Sequence, residues 1–165
     1  MLVRGYEERD REACRDLWRE LTQWHRDIYD DQTIWQDRDP GEFFDEHLEH
    51  VGADRIWVAE LDDAVVGFAG LIVTGTTCEL EPVVVATGAR AHGVGRELVE
   101  RVVAAARGAG LRRIDVRPAA RNVNAIRFFH DVGFEALGHL ELMIHLQKPK
   151  DWPVQERIAD RDFRA

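Results

Sequence analysis

A glycine-containing turn between a predicted strand and a strongly amphipathic helix constrains the fold more than any other feature. The strand runs from Thr77 to Val85 and contains Pro82, and the helix runs from Gly93 to Arg107. Apolar residues form one stripe along the helix, as in helices that pack on a sheet. Proline inside a strand indicates a bulge or an edge without a partner. The segment therefore predicts a strand–loop–helix unit in which ladder pairing is lost near Pro82.

The flanking sequence predicts further helices and strands on both sides of this unit. The predicted helices are Arg11–Leu21, Glu42–Val51, Gly93–Arg107 and Asn122–Asp131, and the predicted strands are Arg55–Leu61, Val65–Val73, Thr77–Val85, Leu111–Arg117 and Leu137–Gln147. This order predicts a mixed sheet with helices on its faces, on the border between the α/β and α+β classes.

Length and apolar content predict a single globular domain. The chain has 165 residues, of which 45% are hydrophobic, and this size fits one domain with its own core. We expect the domain to cover residues 1–148 and residues 149–165 to form a tail that packs on it or on another subunit. The two cysteines and the short apolar runs predict a cytoplasmic protein with reduced thiols that does not associate with membranes.

Composition excludes several classes of function. The chain contains no serine, which excludes a serine nucleophile. Its two lysines, Lys148 and Lys150, do not follow a glycine-rich loop, which excludes a Walker-type phosphate site. The net charge of −9 argues against nucleic acid as a partner and favours a cationic one.

The glycine turn has three interpretations. It is a purely structural turn, or a dinucleotide site, or a coenzyme A site. Gly93 and Gly95 let the backbone approach a ligand, and the first amides of the following helix form an anion site suited to a pyrophosphate. A dinucleotide site is disfavoured, because Leu98 stands at the third glycine position and Asp115 lies in the middle of a predicted strand.

Two short motifs resemble the GCN5-related N-acetyltransferase (GNAT) superfamily. Arg-Ala-His-Gly-Val-Gly at 90–95 resembles the family signature [Gln/Arg]-x-x-Gly-x-[Gly/Ala]. Asn-Val-Asn-Ala-Ile-Arg-Phe-Phe at 122–129, followed by Val-Gly-Phe at 132–134, resembles its second motif. The resemblance covers about residues 55–146. It implies a mixed, mostly antiparallel sheet of six to seven strands with a splayed central parallel pair, flanked by about four helices.

The resemblance also implies an activity. It implies an N-acyltransferase that moves an acyl group, with acetyl-CoA as the expected donor, directly to a primary amine in a ternary complex and without a metal. Two alternatives stay open: a protein or peptide amine as the acceptor, and a non-catalytic module that binds acyl-CoA. A homodimer is a further option that the family suggests.

By the same resemblance, the cofactor follows the fourth strand and the glycine turn. Backbone groups of Val83, Val84 and Val85 would hold the pantetheine arm, Asn122 would contact the cofactor, and Phe129 would pack near its sulfur. Phe129 stands where the family usually has a general-acid tyrosine, and a phenyl ring cannot donate a proton. The residues implied for the pyrophosphate are Arg90, Ala91, His92, Gly93, Val94, Gly95 and Arg96.

Acyl transfer to an amine needs a base, because an alkylammonium must lose a proton before it attacks. Glu79 and Glu81 lie two apart on the fourth strand, and so share a face if no bulge intervenes. The spacing of Glu79 resembles that of the base in the histone-acetylating branch, and Glu81 is the alternative if Pro82 shifts the register. The family geometry implies an oxyanion donor at the amide of Val84 or Val85, of which we favour Val85.

The connection between the first two helices supplies candidate residues for the acceptor. Aromatic and acidic side chains suit a cation, and the family places the acceptor here. A small apolar cluster with solvated acids is the alternative interpretation. The candidates are Trp24, His25, Tyr29 and Trp35.

On the second helix, His47 and His50 are three residues apart, and we interpret them as part of a solvated face rather than as metal ligands.

Overall fold

The computed structural model describes residues 1–144, 146, 154–158 and 161–164. They divide into two compact units, Met1–Arg117 and Pro118–Ala165. The first unit contains β1 (Leu2–Gly5), α1 (Arg11–Tyr29), α2 (Glu42–Val51), β2 (Ile56–Leu61), β3 (Ala64–Thr74), β4 (Thr77–Val85), α3 (Val94–Gly108) and β5 (Arg113–Asp115). The second unit contains α4 (Val123–Asp131), β6 (Val154–Ile158) and β7 (Arg161–Arg164).

The first unit is built on a five-stranded sheet in the order β1-β2-β3-β4-β5. The pairs β1–β2, β2–β3 and β3–β4 are antiparallel, whereas β4 and β5 are parallel. The mixed, mostly antiparallel class that the sequence predicts is therefore confirmed. A parallel pair needs a crossover connection, and here α3 supplies it between β4 and β5.

Helices cover both faces of this sheet. On one face, Phe44 of α2 and Phe68 of β3 are fully buried with their ring centroids 5.4 Å apart, and the Trp18 ring of α1 lies 5.9 Å from Phe68. On the other face, α3 lies so close to β3 that a side chain at Gly67 would meet Leu98. Successive strand residues point to opposite faces, so Gly67 and Phe68 mark the two helix layers.

The first helix is longer than predicted. It continues to Tyr29, eight residues beyond the predicted end at Leu21, because no glycine or proline interrupts residues 22–29. It ends at Asp30, whose φ of 48° is left-handed. None of the helices within the described parts of the chain is long and apolar enough to cross a membrane.

The second unit departs from the prediction. Its helix α4 lies where the sequence places it, but the strand predicted over Leu137–Gln147 is not formed at residues 137–144 or 146. Residues 145 and 147 lie outside the described residues, as does most of the predicted tail. Apolar alternation favours a strand only where a neighbour completes the ladder, and β6 pairs with β7 instead. The described strands thus form sheets of five and two strands rather than one sheet of six or seven.

Candidate active site

The parallel pairing of β4 with β5 stops halfway along β4. Residues 77–79 of β4 pair in register with residues 113–115 of β5, and Glu79 is the last residue of this ladder. Pairing with β3 on the other side continues as far as Val85. Among the described residues, the second half of β4 therefore has a ladder partner on one side only, which is the splayed geometry that the family resemblance implies.

A bulge separates the two halves of β4. The register with β3 shifts between Leu80, opposite Leu71, and Val83, opposite Ala69. Glu81 and Pro82 therefore face the single residue Gly70, which is the two-against-one count of a β-bulge. A side chain at Gly70 would meet the Glu81 carbonyl oxygen at 2.5 Å, so the close approach of the two strands needs glycine. The bulge that Pro82 predicts is confirmed.

Two residues in the second half of β4 direct their backbone N–H and C=O groups away from β3. The Ala86 N–H donates to the Val66 carbonyl of β3 at 2.8 Å. Because neighbouring residues of a strand present their backbone groups to opposite edges, Val83 and Val85 direct their N–H and C=O groups away from β3. The Arg90 side chain confirms this direction for Val85, since its Nε donates to the Val85 carbonyl at 3.2 Å.

The loop from β4 to α3 brings backbone amides together at a helix start. Ala91 and Gly93 both have left-handed φ values, of 63° and 82°, and α3 begins directly after Gly93. The first N–H groups of a helix have no helical carbonyl to bind, and the helix dipole favours an anion there. The residue types and geometry fit the diphosphate of coenzyme A.

The first helix holds this loop in place. The Glu20 carboxylate accepts hydrogen bonds from the Thr87 N–H at 3.0 Å and from the Thr87 hydroxyl at 3.1 Å. The Arg90 guanidinium lies 5.1 Å above the Trp24 ring, within the range of a cation–π contact. The exposed His92 ring hydrogen-bonds the Arg90 carbonyl through Nδ1 at 2.8 Å. Trp24 thus contacts the loop that precedes α3, and its predicted contact with an acceptor stays a prediction.

The two candidate carboxylates differ in their surroundings. Glu79 forms an ion pair with Arg117, and the Glu79 side chain is 19% exposed. Glu81 is an exposed residue and forms no ion pair within the described part of the chain. Partial desolvation of its carboxyl, together with the negative charge of Glu79, raises its pKa above the ordinary carboxyl value, against smaller opposing effects of Arg117 and His50. Of the two, Glu81 has the electrostatics of a base poised to take up a proton.

Two of the four residues predicted for the acceptor contact each other. His25 and Trp35 lie edge to face at 6.0 Å, and Trp35 also contacts Phe43 at 5.5 Å. Burial lowers the pKa of His25, which favours its neutral form. Trp24 contacts Arg90 in the loop before α3, and Tyr29 is the last residue of α1. Their predicted contacts with an acceptor stay predictions.

The structure contradicts the solvated-face interpretation for His47. Its exposed fraction is 8%, whereas His50 is exposed. The reason is the stripe that His47 shares with Phe44 and Val51, which are three residues before it and four after it and are both buried. This three- and four-residue spacing of buried side chains on α2 predicts that His47 is buried. The neighbouring Glu and His residues give the same segment a polar composition, which favours the opposite prediction.

Neither cysteine is placed as a nucleophile. Burial raises the pKa of Cys14 to about 12, and burial also raises the pKa of Cys78. A thiol with a raised pKa is a poor nucleophile because little of it is ionised.

Within the described residues, no group of three or more His, Cys, Asp and Glu side chains is placed to hold a metal ion.

Asn122 and Phe129 belong to the second unit. The Asn122 side chain caps α4 by accepting a hydrogen bond from the Ala125 N–H at 3.1 Å. Phe129 packs on Phe128 and Phe134, with centroid distances of 5.2 and 5.7 Å. Both residues therefore have a local structural role, and their predicted contacts with a cofactor stay predictions.

Comparison with known proteins identifies the family. Residues 17–134 match the model of the acetyltransferase (GNAT) family. No curated protein sequence matches the chain. Among solved structures, a ribosomal-protein-alanine N-acetyltransferase from Brucella melitensis is 26% identical, with 84% of this chain and 86% of that one aligned and a TM-score of 0.67.

Two further structures contain ligands. Rv2747 from Mycobacterium tuberculosis, solved with CoA and NLQ, is 25% identical over 78% of this chain and 70% of that one, with a TM-score of 0.54. AAC(6')-Iy, solved with a CoA-containing bisubstrate analogue, is 18% identical over 90% and 98%, with a TM-score of 0.61. The resemblance seen in the two short motifs is thus confirmed, and the chain belongs to the GNAT family of acetyltransferases.

Proposed function

We propose that this chain transfers an acetyl group from acetyl-CoA to a primary amine in a ternary complex. The observation that carries the proposal is the end of the β4–β5 ladder at Glu79. The bulge follows in β4, and the loop after β4 leads to the backbone amides at the start of α3. Similar proteins solved with CoA support the choice of cofactor. An extended pantetheine arm has the hydrogen-bonding groups of a short strand and suits such a one-sided edge.

The roles of the cofactor-binding residues follow from this placement. The outward N–H and C=O groups of Val83 and the outward C=O group of Val85 pair with the amides of pantetheine, while Val84 is buried and packs into the core. The diphosphate lies on the amides of residues 91–96, with Arg90 beside it. Because Arg90 is held by the Val85 carbonyl and the Trp24 ring, its position is set before the cofactor arrives.

Glu81 is the proposed base. Its carboxylate takes one proton from the acceptor ammonium, which leaves a neutral amine whose lone pair attacks the thioester carbonyl. The C–N bond forms and the C–S bond breaks, the second proton of the attacking nitrogen goes to the departing thiolate, and Glu81 returns its own proton to solvent. The products are the amide, free CoA and one proton.

The backbone of β4 stabilises the charge that develops in this step. We assign the oxyanion contact to the Val85 N–H, which points away from β3 on the same edge as the proposed pantetheine site. Such a donor acts most strongly where water is excluded. No side-chain acid is assigned to the thiolate, because Phe129 has no proton to give.

A peptide amine is a second candidate acceptor. The relative with the name ribosomal-protein-alanine N-acetyltransferase is the most similar of the structures described above, and this favours an alanine-starting peptide as a test substrate. The net charge of −9 favours a cationic acceptor of either kind.

Calorimetric titration with acetyl-CoA, free CoA and NAD tests the cofactor assignment. We expect both CoA species to bind and NAD not to bind. Acetyl-CoA consumption is then followed with 1,4-diaminobutane, an aminoglycoside and an alanine-starting peptide. CoA binding without turnover of any of these amines would favour the non-catalytic acyl-CoA-binding module, and no CoA binding would overturn the proposal.

A further inference from the structure

The Arg90 side chain lies at the edge of β4 that the proposed function assigns to the cofactor. Its Nε donates to the Val85 carbonyl at 3.2 Å, and its guanidinium lies 5.1 Å above the Trp24 ring of α1. The same Val85 carbonyl is the outward acceptor that the proposed function gives to an amide of pantetheine. Both donors reach this oxygen from the side of β4 that faces away from β3, and so they compete for it.

The backbone of Arg90 is held in place, so a change of partner is confined to its side chain. The Arg90 N–H donates to the Thr87 carbonyl at 3.4 Å, and the Arg90 carbonyl oxygen is hydrogen-bonded to Nδ1 of His92 at 2.8 Å. Thr87 is in turn held by the Glu20 carboxylate. The guanidinium stands at the end of a long, exposed side chain, which exchanges one partner for another by a fast change of rotamer.

No carboxylate neutralises the charge of Arg90. Among the described residues, the partners of its guanidinium are a carbonyl and an aromatic ring, and it forms no ion pair. By contrast, Arg19 of α1 pairs with Asp16 and Asp39. A hydrogen bond between two charged groups is stronger than one to a neutral carbonyl, so a diphosphate beside the loop is a better partner for Arg90 than Val85 is.

We propose that Arg90 makes the enzyme select thioester donors that carry a diphosphate, and that Trp24 is a positioning residue that holds Arg90 on the Val85 carbonyl. A diphosphate draws the guanidinium to itself and leaves the carbonyl to pantetheine. A thioester without a diphosphate has to displace Arg90 and offers it no new partner. Specificity of this kind comes from a cost placed on the wrong ligand. The inference rests on the proposed function, from which it takes the pantetheine and diphosphate sites.

Two donors and a set of substitutions test the inference. S-Acetylpantetheine has the thioester and the amides of acetyl-CoA but no diphosphate. Arg90→Met removes the guanidinium and keeps an unbranched side chain, Trp24→Leu removes the aromatic ring, and Trp24→Phe keeps one. The dissociation constants of both donors are measured by NMR titration, with melting temperatures in parallel.

Phe43→Leu is the matched control. The Phe43 ring also lies beneath an arginine, with the Arg38 guanidinium 4.0 Å away. Arg38 pairs with Glu46 of α2, and it has no contact with the loop before α3 among the described residues. This variant should bind both donors as the wild-type protein does.

We expect Arg90→Met to change the two affinities in opposite directions. S-Acetylpantetheine should bind about fivefold more tightly, because a hydrogen bond no longer has to be displaced. Acetyl-CoA should bind about tenfold more weakly, because a charged contact with the diphosphate is lost. Trp24→Leu should tighten S-acetylpantetheine about twofold, and Trp24→Phe should behave like the wild-type protein. A variant that only disturbs packing would weaken both donors.

Two results would overturn the inference alone. One is an Arg90→Met variant that binds acetyl-CoA more weakly without any gain in affinity for S-acetylpantetheine, which would make Arg90 an ordinary contact of the cofactor. The other is a Trp24→Leu variant with the same affinities as Phe43→Leu, which would remove the role of Trp24. If the wild-type protein does not bind acetyl-CoA, the proposed function itself fails and the inference fails with it.

Discussion

The two halves of β4 belong to one strand but have different surroundings. Residues 77–79 are paired with strands on both sides, and there Cys78 is buried and Glu79 is held by Arg117. After the bulge, residues 83–85 are paired with β3 only. The first half is thus held in the sheet from both sides. The second half has backbone groups that face away from β3, and these are the groups that the proposed function assigns to the cofactor.

The largest expected effect separates the two carboxylates on these halves. Glu81→Gln should lower kcat by about 100-fold or more, because it removes the base, whereas Glu79→Gln should leave most of the activity. The measurement is kcat with saturating acetyl-CoA and a primary amine. Equal losses in the two variants would contradict the assignment of Glu81 as the base.

The pH dependence of stability tests the same residue. Since the pKa of Glu81 is raised in the folded protein by desolvation and by Glu79, ionisation of Glu81 opposes folding. The penalty is present above the raised pKa and disappears as pH falls below the ordinary carboxyl value. Glu81→Gln should therefore raise the melting temperature at pH 7 to 8 and lose this advantage near pH 3. A constant difference across this range would mean that Glu81 is not desolvated.

The next effect compares neighbouring residues of the second half. Val85→Pro removes an N–H that points away from β3, so it should lower kcat by about 100-fold while the sheet stays folded. Val84→Pro removes an N–H that points towards β3, so it should lower the free energy of unfolding by about 1–3 kcal/mol. Circular dichroism melts and kcat distinguish the two, and equal destabilisation would show that the outward direction of Val85 is wrong.

A smaller effect concerns the loop that follows β4. Gly93→Val places a β-branched residue at a φ of 82°, which is strained by about 1–2 kcal/mol. We expect the dissociation constant of acetyl-CoA to rise about tenfold if the strain distorts the amides at the start of α3. Gly75→Val is the control, because Gly75 has a φ of 61° in the turn between β3 and β4 and no contact with the site is assigned to it. Equal weakening in both variants would argue against a specific anion site.

The smallest expected effects are shifts in the pH dependence of kcat/KM, in opposite directions for substitutions of Glu79 and Arg117. Glu79 raises the pKa of Glu81 and Arg117 lowers it. Activity falls on the acid side when the base is protonated, so Glu79→Gln should move that limb of kcat/KM to lower pH and Arg117→Ala to higher pH. Stability should change by less than about 1 kcal/mol for Arg117→Ala, because the arginine side chain is 68% exposed. Shifts in the same direction would place the titrating group elsewhere.

Much of this comparison was predictable from the sequence because its causes are local. Pro82 interrupts a strand pattern and predicts the bulge, and α2 and β4 have the predicted bounds. The clear periodicity of residues 93–107 predicts α3, which begins directly after Gly93, and the anion site at its start stays a prediction. Each of these features depends on residues that are close together in the chain.

The parts that sequence missed depend on distant partners. The strand predicted over Leu137–Gln147 needs a neighbour that local alternation does not reveal. The contact of Trp24 with Arg90 joins residues far apart in the chain, so no local pattern predicts it. The burial of His47 follows from the stripe on α2, but its orientation towards Gly70 depends on how α2 packs on β3.

Amide hydrogen exchange along β4, measured by NMR with and without acetyl-CoA, tests the central claim most directly. Without the ligand, the amides of Val83 and Val85 should exchange faster than that of Val84, since they have no ladder partner in β3. Acetyl-CoA should slow exchange at Val83 and Val85 and leave Cys78, which is paired on both sides, unchanged. Uniform slowing along β4, or binding of acetyl-CoA that leaves these two amides unprotected, would contradict the account.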